Sequence, residues 1–260
     1  MKDEFSFETL DYLKNKYITI NWFCDDHWRF DMFTKHYAPH FTYAITTDKF
    51  ALSKYRKIGH KNVILSQWAS FGFTEDIDFE AIKYKYNVSF VGGISGYRKW
   101  LIKELLKKGI KVECFGYGWK NGRVTFDEMG EIFNTSKINL NISNSVNYDI
   151  RYIFSSLGSI KEFLRSKKRI EQIKARNFEI PAFSGFQLTN YVPCLEDYFD
   201  IGREAAVFIS LDDLMLQINY YLNNEEERKK IMINGYKKPC QEHTYFHRLK
   251  KIFKELGINL

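Results

Sequence analysis

Apolar positions recur along this chain with two alternating periods. Eight short runs are rich in β-branched and aromatic residues at strand length: 17–23, 41–46, 62–68, 87–92, 110–116, 137–143, 186–189 and 205–210. Between most of them lie segments whose apolar residues return at helical spacing: 48–58, 97–108, 125–135, 212–222 and 225–234. Thr125 with Glu128 three positions later is a capping-box pattern, and Ser210 or the aspartates after it offer another helix start. Strands alternating with helices predict βαβ units and a parallel sheet.

The pattern breaks at 70–86, an acidic and aromatic stretch without clear period that reads as a linker. Residues 87 to about 235 suffice for one doubly wound domain. The chain ahead of the linker supplies three strands, thin for a complete dinucleotide-type domain. At the far end, 243–256 predicts an amphipathic helix with Tyr245, Leu249, Ile252, Phe253 and Leu256 along one stripe. The expected organisation is a partial N-terminal unit at 1–80, a second unit at 81–240, and a C-terminal helix at 241–260 that packs back on the first.

Composition narrows the class. Of 260 residues, 45% are hydrophobic and 27% charged, which excludes a disordered chain. The four cysteines are far apart with no CxxC, so neither a zinc site nor a redox pair is indicated. His243 and His247 stand at a metal-compatible spacing, but no Glu or Cys accompanies them. The N-terminus lacks the apolar core of a secretory signal, and no run approaches the roughly 18 apolar residues of a membrane span. The cytoplasm is the expected location. The net charge of +7 is uneven: 161–176 holds seven basic residues and two acidic ones. That excess suits an anionic partner, namely a phosphate ligand, a nucleic acid or an acidic membrane surface, or simply a solvated basic helix.

Four stretches could carry chemistry. In 88–100 a strand runs into Gly92, Gly93 and Gly96 and then a helix with Arg98 and Lys99. Free N–H groups at such a helix start attract anions, although a tight strand–helix turn is the plainer reading. In 114–119, Tyr117 or Trp119 could stack on a base beside Gly116 and Gly118, or pack as an aromatic turn. Asn141 and Ser143 end a third strand and offer hydrogen bonds. Asp25, Asp26 and His27 follow the first strand-like run, where they could serve as a general base or, more plainly, as a buried helix cap. The most informative stretch is 169–191. Glu171 and Glu179 are eight positions apart, about 80° around a continuous helix, so they would not quite share a face. Pro181 tolerates the first turn of a helix but not its depth, which divides the stretch into a loop and a short helix starting near Asn177. Glu179 then suits a pair of ribose hydroxyls, Arg176 suits phosphate, and Gly185 with Phe186 turns the chain into the next strand.

Together these pieces resemble the GT-B glycosyltransferases of group 1 type, in particular the branch typified by the spore maturation protein CgeB. The resembling stretches are "WFCDDHWRFD", "VSFVGGISGYR", "FGYGW", "IFNTSKINLNIS", "HTYFHR" and, most specifically, 174–204. The resemblance implies an α/β fold of two Rossmann-like domains facing a cleft, the N-terminal one truncated. It implies transfer of a glycosyl group from a nucleoside-diphosphate sugar to a glycan or protein acceptor without a required metal or other cofactor. It places the donor against Gly92, Gly93, Arg98, Tyr117, Trp119, Asn141, Arg176, Glu179, Gly185 and Phe186. It assigns catalytic roles to Asp25, Asp26, His27 and Glu171. Two departures stand out: "EQIK" replaces a glycine-rich step after Glu171, and the connection 144–170 is longer than usual. Peripheral association at the inner face of a membrane is a further expectation; nucleic-acid binding is not expected, for lack of a recognised module. The alternative function is a degenerate, non-catalytic nucleotide- or anion-binding protein.

Overall fold

A computed structural model of the chain describes residues 4–71, 77–143, 147–168 and 170–258. It contains two parallel sheets. β1 (Ile20–Phe23), β2 (Tyr43–Thr46) and β3 (Val63–Leu65) lie in the order β1-β2-β3. β4 (Tyr86–Val91), β5 (Glu113–Phe115), β6 (Ser136–Asn141), β7 (Gln187–Asn190) and β8 (Ala206–Phe208) lie in the order β5-β4-β6-β7-β8. Every expected strand forms; β4 and β7 match their apolar runs in length, and the others are shorter, because parallel pairing extends only as far as both neighbours remain extended.

The chain divides into two compact units. The first comprises 1–68, 167–172 and 247–260, and the second 69–166 and 173–246. The first crossing thus falls after Trp68, upstream of the expected boundary at residue 80. Part of the expected linker belongs to a core: Phe79 and Ile82 pack on the second unit's apolar cluster, while 72–76 lie outside the described residues. Two crossing segments run side by side, with Ser70 N–H donating to the His243 carbonyl at 3.0 Å and Tyr245 N–H to that of Ser70 at 3.0 Å.

In the first unit the small sheet is covered on both faces. Phe23 and Ala44 turn toward Leu10, Phe30, Phe41 and Tyr55, and Leu10 comes from a helix, Phe7–Lys16, that the periodicity had not indicated. On the other face Ile45 and Ile64 receive Ile252 from the C-terminal helix Tyr245–Glu255 and Leu256 just beyond its end. That helix therefore packs against the N-terminal sheet through part of its apolar stripe. A carboxylate sits within this unit: Asp26 is fully buried and accepts from the hydroxyls of Thr34 (2.6 Å), Thr46 (2.6 Å) and Tyr55 (2.8 Å). This corrects its expected catalytic role. With no solvent access and three donors committed to it, Asp26 ties β2 to the segments that carry Thr34 and Tyr55.

In the second unit the sheet has two different faces. Val88, Phe90, Ile138, Leu140, Leu188 and Ala206 form one face, and they pack on Leu101 and Leu105 of the helix Gly96–Lys107 and on Leu214 and Ile218 of the helix Leu211–Asn223. The opposite face is largely polar, with Ser89, Asn139 and Gln187 in register across three strands and Asn141 opposite Thr189. Pro239 lies inside the long helix Glu225–Glu242, which runs beyond the expected 225–234.

Burial, the larger influence, holds the Asp26 carboxyl above its ordinary value of 3.8, against the opposing hydroxyl bonds. The folded chain therefore keeps this proton to higher pH than the unfolded chain does, and the group's contribution to stability falls as pH rises from about 4 through the raised value. Asp26→Ala, which strands three buried hydroxyls, should lower stability by about 3 kcal/mol in urea melts. Asp26→Asn should flatten that part of the pH dependence.

Candidate nucleotide site

The strand order of the second unit reads 2-1-3-4-5, so the connections leave in opposite directions from β4 and β6. In open α/β sheets the ligand crevice lies at the carboxyl ends of strands at such a switch point. Here the backbone leaving β4 is Gly92–Gly93 and that leaving β6 is Ile142–Ser143. Arg98 bridges them. Its guanidinium donates to the Gly93 carbonyl at 2.9 Å and to that of Ile142 at 2.6 Å. Arg98 stands in the first turn of the helix Gly96–Lys107, whose cap Ser95 accepts from the Arg98 N–H at 3.2 Å.

A second guanidinium adjoins the first. Arg176 directs Nε toward the Val91 carbonyl at the end of β4, 3.4 Å away, and forms an ion pair with Glu179 one turn along its own helix. Burial, and then the charge of Arg176, pull Arg98 below the usual guanidinium range. The Arg98 Nε is buried without a hydrogen-bond partner among the described residues. Two like charges are thus gathered at the switch point, with Glu179 as the carboxylate paired to one of them. An anion placed there would relieve the repulsion and gain charge-assisted hydrogen bonds.

The helix Arg176–Ala182 is seated by the polar sheet face. Asn177 is fully buried; its Nδ2 donates to Thr189 Oγ1 at 3.2 Å and its Oδ1 accepts the Lys174 N–H at 3.0 Å. Pro181 lies in the last turn of this helix, not the first as expected. Lacking an N–H, it cannot bond the Asn177 carbonyl, and the Gln187 side-chain amide donates to that carbonyl instead, at 3.4 Å. Asn141 donates to Gln187 Oε1 at 3.4 Å, and Ser89 to Asn139 Oδ1 at 2.9 Å. Ser89, Asn139, Gln187 and Thr189 escaped the sequence reading, although the alternation of amides with leucine and isoleucine in "INLNI" and "FQLTN" was the available signal.

The remaining expected residues sort by position. Phe186 is corrected: its ring is wholly buried, 4.8 Å from that of Tyr221, so it belongs to the core. Gly185 is packed tightly, since a Cβ there would crowd Asn139 and the carbonyls of Ile180 and Phe133. Asn141 is buried in the sheet and engaged with Gln187. Trp119 is no open platform, because its indole N–H donates to the Gly92 carbonyl at 2.8 Å and its ring meets Phe90 edge-on. Gly92 is crowded by the Phe90 ring, whereas Gly93 borders open space. Gly116, at φ +124°, lets the turn after β5 approach the Gly92 carbonyl more closely than any Cβ would permit. Tyr117 is exposed, with Arg123 over its ring.

In the first unit, Asp25 lines a cavity of about 210 Å³ beyond the end of β1 with Asn21, Trp22, Arg29 and Phe33. Gln172 donates to Asp25 at 3.2 Å and to the Cys24 carbonyl at 2.9 Å. His27 is half-buried in the short helix Asp26–Arg29. Glu171 falls in the segment 167–172 of this first unit, whereas Glu179 belongs to the second. His243 precedes the C-terminal helix and shares a hydrogen bond with the Tyr198 carbonyl at 3.1 Å. Among the described residues no three His, Cys, Asp or Glu gather as metal ligands would, and no helix is long and apolar enough to cross a membrane.

Comparison with known proteins agrees with this fold. The glycosyl transferase-like family model matches residues 98–254, more than half of the chain, and the protein belongs to that family. No curated protein matches the sequence. Among solved structures, Anabaena HepE, crystallised with UDP and glucose, is similar at a TM-score of 0.63 and 8% identity, over 97% of this chain and 76% of that one. Sucrose-phosphate synthase of Thermosynechococcus elongatus is similar at 0.59 and 8% identity, over 95% and 70%. TarM is similar at 0.57 and 10% identity, over 86% of this chain but 45% of its own, so the present chain spans less than half of TarM's length. These likenesses define the fold as GT-B-like.

Asn177→Ala removes the fully buried amide beneath the site helix and leaves the Thr189 hydroxyl and the Lys174 N–H without it. Urea melts should show a loss of about 2–3 kcal/mol. Thr189→Val, which deletes the partner hydroxyl, should cost less and should couple to Asn177→Ala in a double-mutant cycle.

Proposed function

We propose that the protein is a glycosyltransferase that takes a sugar from a nucleoside-diphosphate donor and passes it to a glycan or protein acceptor. The observation that carries this reading is the pair of adjacent guanidiniums, Arg98 and Arg176, at the switch point of the five-stranded sheet. In a transferase of this kind the diphosphate is the leaving group. Fixed cations beside it stabilise the charge that builds as the glycosidic bond breaks. Glu179, one helical turn from Arg176, is suited to accept from two vicinal ribose hydroxyls, and Gly93 leaves room for the donor's approach. Tyr117 is the exposed aromatic of the neighbouring turn. The family match and the UDP in the HepE complex support a nucleotide-sugar donor.

On the acceptor side the reading assigns the cavity at the end of β1. Asp25 there would accept a proton or hydrogen bond from an acceptor hydroxyl, with Arg29 and Asn21 beside it. His27 and Glu171 are carried into the proposal on the resemblance alone. The same resemblance supports the CgeB-like branch, reaction without a required metal and a role in polysaccharide assembly.

UDP is the probe. It should raise the melting temperature of the wild-type chain, because binding to the native state alone stabilises by about 2.7 kcal/mol at a hundredfold excess over Kd. Arg176→Ala and Glu179→Ala should each abolish most of that shift while melting cooperatively. An undiminished shift in both variants would overturn the site assignment. Incubation with a panel of UDP-sugars and measurement of released UDP then tests transfer; UDP binding without any donor consumption would replace the enzyme with a binding protein.

A further inference from the structure

Ahead of the site helix Arg176–Ala182, the connection between β6 and β7 forms two further helices, Ile150–Ile153 and Leu157–Arg165, and the second leaves large apolar side chains exposed. Its inward side carries polar residues beside two half-buried apolar ones, Ile160 and Phe163. Ser159 is buried and lies 2.9–3.1 Å from the hydroxyls of Ser155 and Ser156, and Glu162 accepts from the Tyr152 hydroxyl at 2.7 Å. Its outward side is apolar: Leu157 is 86% exposed and Leu164 68%. Those two leucines and Lys161 recur at i, i+4 and i+7, so they share one face, and Arg165 flanks it. From the preceding segment Ile150 (70%) and Phe154 (72%) add two more exposed apolar side chains at i, i+4.

This arrangement is held in place. Tyr152 is fully buried and meets Tyr97 and Trp100 of the helix Gly96–Lys107 at ring distances of 5.2 and 5.6 Å. A Cβ on Gly96 would collide with the Glu162 carboxylate, so glycine at that position is what lets the hairpin lie down. Rotating the helix Leu157–Arg165 to bury its leucines would break the Tyr152–Glu162 bond and expose Ser159. The hairpin is thus anchored by the Tyr152 ring and the Tyr152–Glu162 hydrogen bond, and it presents four large apolar side chains to the exterior, with Lys161 and Arg165 among them. Neither cation has an ion-pair partner among the described residues, and the acid on this helix, Glu162, is turned inward.

An outward stripe of Leu, Ile and Phe edged by unpaired cations matches a lipid surface bearing negative charge: the apolar side chains enter the headgroup–acyl boundary and the cations meet the phosphates. We infer that the hairpin 147–166 docks the protein on anionic phospholipid bilayers. The inference is independent of whether the guanidinium pair binds a nucleotide.

Cosedimentation of the 260-residue chain with vesicles tests it. The protein should pellet with phosphatidylcholine vesicles containing phosphatidylglycerol, and far less with phosphatidylcholine alone or at high salt. Leu157→Glu/Leu164→Glu should weaken binding more than tenfold. Lys161→Ala and Arg165→Ala should each weaken it about fivefold. All these positions are exposed, so melting temperatures and the UDP-induced shift should match wild type, which separates failure of docking from failure of the nucleotide site. Anionic vesicles that leave the wild type in the supernatant, or bind the double variant as well as wild type, would overturn the proposal. So would concentration-dependent dimerisation in analytical ultracentrifugation that the double variant abolishes, because the face would then be covered by a second copy.

Discussion

Two guanidiniums forced together at the carboxyl end of one sheet are the constraint on which the second unit depends. Arg98 is held by carbonyl oxygens, not by a carboxylate: its fork joins the backbone leaving β4 to the backbone leaving β6. Carbonyl dipoles offset part of the cost of burying a cation but leave its charge uncompensated, and the neighbouring Arg176 adds repulsion. A fold that maintains such a pair has its crevice poised for an anion. The exposed share of the Arg176–Glu179 pair limits its worth to stability, since surface pairs contribute about 0–1 kcal/mol. Its consequence is positional: one carboxylate is fixed a helical turn from one cation.

The polar face of the five-stranded sheet follows from the same requirement. A helix carrying Arg176 and Glu179 cannot be seated only by apolar packing, because its sixth residue is Pro181 and a carbonyl is left over inside the structure. Gln187 supplies the missing donor and Asn177 reaches back to Thr189. Buried amides bond in particular directions, whereas leucines on the opposite face only fill space, so the site helix rests on the specific side of the sheet and the core on the tolerant one. In the first unit Asp26 does the comparable work for a three-stranded sheet, with hydroxyls as its partners.

The β6–β7 hairpin shows the same trade in reverse. Ser159, Glu162 and Tyr152 turn inward to anchor it, while Ile150, Phe154, Leu157 and Leu164 are left facing out. Exposed apolar side chains grouped in this way mark an interaction face. The proposed nucleotide site and the outward hairpin hang from one element, the helix Gly96–Lys107. Arg98 in its first turn staples the switch point, while Tyr97 and Trp100 grip Tyr152.

Much of this was written in the local pattern. Apolar runs of strand length located all eight strands, because an extended segment must hide its side chains whatever its neighbours are, and the alternation with helical segments implied parallel sheets. Pro181 announced a short helix after Glu171, although it stands in the last turn of that helix and not in the first. What local pattern could not convey was direction. Asp26 and Asp25 are neighbours in sequence, yet one is enclosed by three hydroxyls and the other lines a cavity. Phe186 looked like part of a ligand turn and is core, since the ring's environment is set by Tyr221, thirty-five positions away. Glu171 and Glu179, read as a pair, fall in different compact units. The amphipathic period of Leu157–Arg165 was present in the sequence, but which side faced inward was decided by Tyr152 and Gly96, contacts that exist only once the chain has folded.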